Sequence, residues 1–176
     1  MLSVFILCFV TALCLSDMVR EYVSNAKYQS DIEKLRELLS KVTDEQKLYI
    51  LQQTKNRSDE TALQIAAYRD DAEMITTILS SLQSSDRLKL LLIKNNRKRT
   101  PLHLAAWIGR TESVKAILNS LTADQQMQLL TEEDEDGKTA DMMTSGETAD
   151  VLSEYKNRPQ EKANPGEFIP LNSHVM

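Results

Sequence analysis

The sequence is poor in the residues on which most enzymes, metal sites and disulfide scaffolds depend. Its 176 residues include two Cys, two His, four Gly and four Pro. The two Cys, Cys8 and Cys14, cannot build a disulfide framework or a four-Cys zinc site, and two His leave little material for acid–base or metal chemistry. The few Gly and Pro argue against a β-sandwich, which needs many tight turns. We therefore predict a mainly helical protein that is not an enzyme and uses no metal or cofactor.

Length and charge narrow the class further. The chain is long enough for one domain with a substantial core, and 41% hydrophobic with 27% charged residues is ordinary for a globular protein. The formal net charge is -5. This balance argues against broad binding to nucleic acid, which normally needs clustered positive charge.

The first sixteen residues form an uncharged, mostly apolar run that ends before Asp17. The run is too short to span a bilayer, which takes roughly 20 apolar residues, but it has the length of a signal peptide's apolar stretch. Three interpretations stay open: a signal peptide without the usual basic residue, an apolar helix packed on the end of the fold, and a wrongly assigned start codon. A cleaved leader implies the secretory pathway and makes Asn56, in the sequon Asn56-Arg57-Ser58, a glycosylation site. Otherwise we expect a cytoplasmic protein, with membrane contact only through residues 1–16.

The rest of the chain repeats at a spacing of 39 residues. Residues 61–67 (TALQIAA) match residues 100–106 (TPLHLAA), and Thr139 begins a third, shorter match another 39 residues on. Apolar positions after these motifs recur with nearly the same spacing, as at Val42, Leu82 and Leu121. Such self-similarity indicates stacked supersecondary units.

Each unit carries signals for helix starts and stops. Thr100 can cap the free N–H groups of a helix, and Pro101 suits the first helical position, where its missing N–H costs nothing. Gly109 ends this short helix because Gly readily adopts the left-handed conformation, whereas Asp70, at that place in the preceding unit, predicts a looser turn. Apolar periodicity then predicts a second helix. The capping-box pattern at Thr122 predicts an extra turn or two of helix after it, which accounts for the long period.

The motif at residues 100–106, followed by Gly109, resembles the signature of an ankyrin repeat. The unit that begins at Thr61 matches less well, because it lacks the Pro and the His, and both end units are degenerate. The resemblance implies an all-α solenoid of about three to four stacked helix pairs with hairpin or loop fingers. HEAT and armadillo repeats remain a minor alternative because of the 39-residue period. We place the solenoid in residues 17–156, with units near 21–60, 61–99, 100–138 and 139–156, followed by a flexible tail at 157–176.

The resemblance assigns a structural role to the motif residues. These are Thr61, Thr100, Pro101, His103, Gly109 and Thr139. His103 is expected to form hydrogen bonds around the Thr at the helix start. A catalytic role for it would require a nucleophile, an orienting acid and a pocket, and the sequence indicates no such set.

The polar stretches between the units carry opposite charges. Four basic residues among 94–99 are followed by five acids at 132–136, whereas the stretch before Thr61 is neutral. Two interpretations stay open. The stretches form mutual salt bridges, each contributing at most about 1 kcal/mol, or they form a polarised rim that steers a partner of mixed charge. The acidic stretch would repel phosphate, so we expect no nucleic-acid partner.

In ankyrin repeats, partners usually contact the fingers and the concave face, which carries the two residues after each Ala-Ala pair. Here the concave-face residues are Tyr68, Arg69, Trp107 and Ile108. The matching finger residues are Arg57, Ser58, Glu60, Asn96, Arg97, Arg99, Glu135, Asp136 and Lys138. Trp, Tyr and Arg dominate interface energies; the alternative for Trp107 is packing against the extra helix.

These residues predict a non-catalytic protein–protein interaction module that binds another protein and has no small-molecule substrate. The alternative is a secretory-pathway or membrane-associated protein whose function depends on residues 1–16.

Overall fold

The computed structural model describes residues 29–53 and 59–158. The predicted leader and sequon, and the tail beyond Arg158, lie outside the described residues. Those described form nine α-helices and one 3-10 helix, with no strand. The helices are α1 Gln29–Ser40, α2 Asp44–Gln53, α3 Ala62–Arg69, α4 Ala72–Ser80, α5 Ser84–Leu91, α6 Pro101–Ile108, α7 Thr111–Asn119, α8 Ala123–Leu130, the 3-10 helix Ala140–Met143 and α9 Glu147–Asn157. The all-α prediction is confirmed.

The spacing of the helices reproduces the 39-residue spacing of the sequence. Helices α3, α4 and α5 begin 39 residues before α6, α7 and α8. Each of these units therefore contains a first, a second and a third helix, followed by a turn. We call the turns at residues 94–99 and 132–138 the middle finger and the last finger. Because α3 packs on α6, α4 on α7 and α5 on α8, the units stack side by side as a solenoid.

Reciprocal capping boxes begin the first helices. The Thr61 hydroxyl accepts a hydrogen bond from the Gln64 N–H, and Gln64 Oε1 accepts one from the Thr61 N–H at 2.7 Å. At the start of α6, Thr100 and His103 form the same pair, with His103 Nδ1 in place of the Gln oxygen and Pro101 at the first position. These pairs satisfy N–H groups that every helix start leaves without a partner in the helix.

The third helix covers the carbonyl end of the second. Nε of Arg87 in α5 donates to the Leu79 carbonyl in the last turn of α4, at 2.8 Å, and to the Leu82 carbonyl just beyond the helix, at 3.0 Å. Nε2 of Gln126 in α8 donates in the same way to the Leu118 carbonyl in the last turn of α7, at 2.8 Å, and to the Leu121 carbonyl just beyond it, at 3.2 Å. The last carbonyls of a helix have no partner within it. The third helix therefore stabilises the second as well as burying its own Leu pair, Leu90-Leu91 or Leu129-Leu130.

The core is a continuous row of apolar side chains that runs through the stacked units, from Ile32 in α1 to Tyr155 in α9. Paired Ala residues in α3 and α6, such as Ala105 and Ala106, are fully buried where these helices pack. Helix α9 covers α7 at one end, and Tyr155 Oη donates to Asn119 Oδ1 at 2.5 Å. The core is thus a series of interfaces between neighbours.

The left-handed turns after α3 and α6 close in the same way. Asp70 and Gly109 have φ values of 64° and 74°, and each N–H donates to two carbonyls at the end of its helix. Oδ1 of Asp70 also accepts from the N–H and the hydroxyl of buried Ser113, at 3.1 and 2.9 Å. The backbone bonds that close the Asp70 turn, at 3.4 and 3.1 Å, are longer than the equivalent bonds of the Gly109 turn, at 3.0 and 2.8 Å, as a looser turn predicts. The Asp70 side chain adds bonds to the next unit that Gly109 cannot form.

We expect the substitution Asp70→Gly to destabilise the protein, although it relieves a left-handed non-Gly residue. The relief contributes about 1 kcal/mol. The lost bonds to a charged acceptor cost about 1.5–3 kcal/mol each, and the Ser113 hydroxyl is left buried without its partner. We predict a net loss of about 2–5 kcal/mol in unfolding free energy, measured by urea titration.

Asp70→Asn is the matched control, because Asn tolerates the left-handed region and keeps an acceptor oxygen. It should remain closer to the wild type than the Gly variant. A Gly variant more stable than wild type would show that strain outweighs the bonds to Ser113.

Candidate functional site

Buried hydrogen bonds join each first helix to the finger that follows its unit. Nε2 of Gln64 lies 2.8 Å from the Arg99 carbonyl oxygen, and Nε2 of His103 lies 3.1 Å from the Lys138 carbonyl oxygen. The two side chains occupy equivalent positions 39 residues apart, and both are fully buried. Each therefore fixes a finger relative to the concave face.

The hydrogen bonds around His103 define a neutral imidazole. Nδ1 accepts from the N–H of Thr100 at 3.3 Å and lies 2.8 Å from its hydroxyl, so the proton belongs on Nε2, which donates to the Lys138 carbonyl. Burial lowers the pKa of His103, against the raising effect of that bond. His103 therefore joins the start of α6 to the backbone of the last finger. Across residues 29–53 and 59–158, no group of three or more His, Cys, Asp or Glu side chains could hold a metal.

The two fingers are built on one turn design. Oδ1 of Asn95 accepts from two backbone N–H groups of the middle finger, both at 3.0 Å. Oδ1 of Asp134 accepts from two in the last finger, at 2.9 and 3.1 Å. Both side chains are buried, and Lys98 and Gly137 take the left-handed position of the two turns. The fingers therefore have a fixed shape.

The Arg99 side chain is buried beneath the finger surface rather than exposed on it. Its Nε is 3.3 Å from Asp134 Oδ2, and its guanidinium carbon is 5.0 Å from the ring centre of Trp107, within cation–π range. Only 8% of its surface is exposed. The sequence predicts Arg99 as a finger residue that contacts a partner. In the structure its side chain is buried and contacts Asp134 of the last finger and the ring of Trp107 instead.

The charge of Asp134 is maintained against its burial. Burial raises the pKa of this carboxyl, but the N–H groups of Lys138 and Asp136 together with the Arg99 guanidinium outweigh that effect, and the pKa is lowered. Asp134 is therefore ionised near neutral pH and forms a true ion pair with Arg99.

Two large aromatic side chains are half exposed at equivalent positions of neighbouring units. Trp107 is 50% exposed and Tyr68 is 49% exposed, and neither belongs to the buried core. Packing against the third helix therefore does not bury Trp107. Beside them Arg69 is exposed and Ile108 is partly buried.

The charges of the fingers divide into an inner and an outer set. Lys94 Nζ bonds Glu132 Oε2 at 2.8 Å, and Arg99 pairs with Asp134, so salt bridging between the fingers accounts for the inner set. The outer set is exposed and, among the described residues, forms no ion pair: Arg97, Lys98, Glu135 and Asp136. Salt bridging therefore describes the inner set. A polarised rim that steers a partner stays a prediction for the outer set.

The remaining predicted contact residues have varied surroundings. Asn96 and Lys138 are exposed and Glu60 is partly buried. Arg57, Ser58 and the glycosylation candidate Asn56 lie outside the described residues, as do residues 1–16, and these assignments stay predictions. None of the described helices has both the length and the apolar character that crossing a bilayer requires.

Stacked three-helix units and a fixed face with exposed aromatic rings define an α-solenoid repeat protein. A family model for ankyrin repeats, in three copies, matches residues 25–128, and the chain belongs to the ankyrin-repeat family. Ankyrin repeats are generally protein–protein interaction modules and are typically non-catalytic.

Among solved structures, the crystal structure of the yeast ribosomal protein Rps3 in complex with its chaperone Yar1 contains a similar chain. The TM-score is 0.55 at 17% identity, and the alignment covers 81% of this chain and 86% of that chain. At such low identity the likeness shows the fold alone. Among curated proteins, none matches the sequence.

The neutral state of His103 predicts how stability depends on pH. Because the pKa of His103 is lower in the folded chain than its ordinary value of about 6.5, its contribution is fully present above pH 6.5 and is lost as pH falls through the folded pKa. In His103→Gln, the amide can accept from Thr100 and donate to the Lys138 carbonyl, as Gln64 does in its own unit.

We expect the unfolding free energies of wild type and His103→Gln to be similar near pH 8 and to diverge below pH 6.5, with the variant less pH-sensitive. One proton sets the maximum slope of the difference, about 1.4 kcal/mol per pH unit. Urea titrations monitored by circular dichroism at several pH values between 8 and 4.5 measure this. Parallel pH profiles would contradict the neutral, buried His103.

Proposed function

We propose that this chain is a protein-binding module without chemistry of its own, which holds a partner against the concave face and the outer charges of the middle and last fingers. The observation that carries the proposal is the half-exposed pair Tyr68 and Trp107 at equivalent positions of adjacent repeats. Large exposed aromatic side chains are costly to leave in water, and they dominate interfaces when a partner covers them.

The face is held in place before any partner arrives. Gln64 and His103 fix the fingers from below, and Asn95 and Asp134 fix the shape of each turn. Trp107 is supported by the Arg99 guanidinium. A surface already ordered in the free protein loses little conformational entropy on binding, which favours affinity.

The chemistry of the rim favours a protein over a nucleic acid as the partner. Arg97 and Lys98 stand beside Glu135 and Asp136, and all four side chains are exposed. A phosphate backbone attracted by the first pair would be repelled by the second. A protein surface can carry charges of both signs that match this arrangement.

We expect Trp107→Ala to weaken partner binding strongly while the protein stays folded. Removing a central aromatic contact typically costs about 2 kcal/mol or more, which corresponds to about thirtyfold in Kd. The full chain serves as bait to identify a partner by affinity capture and mass spectrometry. Calorimetric titration of the purified partner with wild type and variant then measures Kd.

Tyr49→Ala is the control, because Tyr49 is an exposed aromatic residue outside the concave-face residues. It lies on α2, which packs on α5 and so takes the place of a third helix in the first unit. It should leave Kd within about twofold of wild type. An unchanged Kd in Trp107→Ala would refute the proposed face, and a large fall in melting temperature would assign Trp107 a role in stability instead.

A further inference from the structure

The two fingers present equal and opposite charge after their internal ion pairs are removed. Lys94 and Arg99 are paired with Glu132 and Asp134. The middle finger then keeps two basic side chains, and the last finger keeps three acids and one lysine, for net charges of +2 and -2. We call the six charged side chains that remain the dipolar rim, which consists of the outer set together with Glu133 and Lys138: Arg97, Lys98, Glu133, Glu135, Asp136 and Lys138.

The opposite charges of the rim are adjacent but do not neutralise one another. The N–H of Glu135 donates to the carbonyl of Arg97 at 3.2 Å, so the two backbones touch. Their side chains nevertheless form no ion pair among the described residues, although the inner pair Lys94–Glu132 does at 2.8 Å. The rim therefore combines a fixed backbone with charges available for contacts between molecules.

A surface with this pattern is complementary to itself. A twofold axis running between the two fingers places the basic finger of one molecule opposite the acidic finger of the other, and the reverse. In such an interface both molecules use the same patch, and each contact occurs twice. No second protein with a matching pattern is required.

We propose that this chain associates with a second copy of itself through the dipolar rim. The proposal rests on the proposed function, because it names a partner for part of the same surface. A standard interface takes about 20–30 residues from each partner, whereas the dipolar rim offers six exposed side chains on two turns. The association is therefore weak, and it falls about tenfold or more as salt rises from about 50 mM to 500 mM, because exposed charges are screened.

Charge reversal tests the proposal directly on the full chain. In the double variant Arg97→Glu with Lys98→Glu both fingers are acidic, and in Glu135→Lys with Asp136→Lys both are basic. All four side chains are exposed, so both variants should fold, which circular dichroism checks. Analytical ultracentrifugation over a concentration series should show self-association of wild type and a monomer for each variant alone.

Mixing the two variants is the decisive arm. An all-acidic rim is complementary to an all-basic rim, so an equimolar mixture of the two variants should associate in low salt. High salt should abolish this association. The control is Glu45→Lys with Asp124→Lys, which makes the same change in net charge as the basic variant at exposed positions on third helices. This control should associate like wild type.

Three results would overturn the proposal: wild type that stays monomeric at every concentration in low salt, association that survives either rim reversal, or a mixture that stays monomeric. The loss of partner binding in Trp107→Ala is measured with a different protein. If wild type stays monomeric but partner binding still requires Trp107, self-association is refuted and the proposed function stands. If wild type self-associates through the rim but Trp107→Ala binds the partner as tightly as wild type, only the proposed function is refuted.

Discussion

The two repeats at residues 61–99 and 100–138 each depend on a buried hydrogen bond from the first helix to the finger that follows. Gln64 and His103 each use one end of the side chain to close their own helix start and the other to hold a finger carbonyl. An unpaired buried carbonyl or N–H would cost about 1–3 kcal/mol. The same atoms thus stabilise a helix start, a finger and the junction between them.

The binding face follows from this constraint. Each finger is bonded to a first helix on its inner side and faces solvent on its outer side. Its charged side chains therefore fall into a paired inner set and an exposed outer set. On the inner side Arg99 pairs with Asp134 and supports Trp107, while Arg97 and Glu135 stay exposed on the outer side. Ion pairs in water contribute little, whereas a paired group shielded from solvent positions its neighbours. The inner charges therefore set geometry, and the outer charges set which surfaces can approach.

Sequence patterns predicted the features that are encoded within a few residues. The cap at Thr100, the stop at Gly109 and the capping box at Thr122 each act within one turn, so the helices and the third element were accessible. The burial of Arg99 and the bond from Asp70 to Ser113 were not, because their partners lie 35 and 43 residues away. A usable signal existed nonetheless: position 134 is a carboxylate where the preceding repeat has an amide, at Asn95.

That difference between two otherwise equivalent fingers accounts for the cation beside Trp107. Both Asn95 and Asp134 use Oδ1 to hold their own turn. The second terminal atom is an amide nitrogen in Asn95 and a carboxylate oxygen in Asp134, and only the oxygen can accept from a guanidinium. Position 99, which holds the arginine that pairs with Asp134, is equivalent to position 60, which holds a glutamate. One repeat therefore combines Glu60 with the amide of Asn95, and the next combines Arg99 with the carboxylate of Asp134. Because the repeats share a backbone, this exchange leaves the turn intact and supplies the cation on which Trp107 rests.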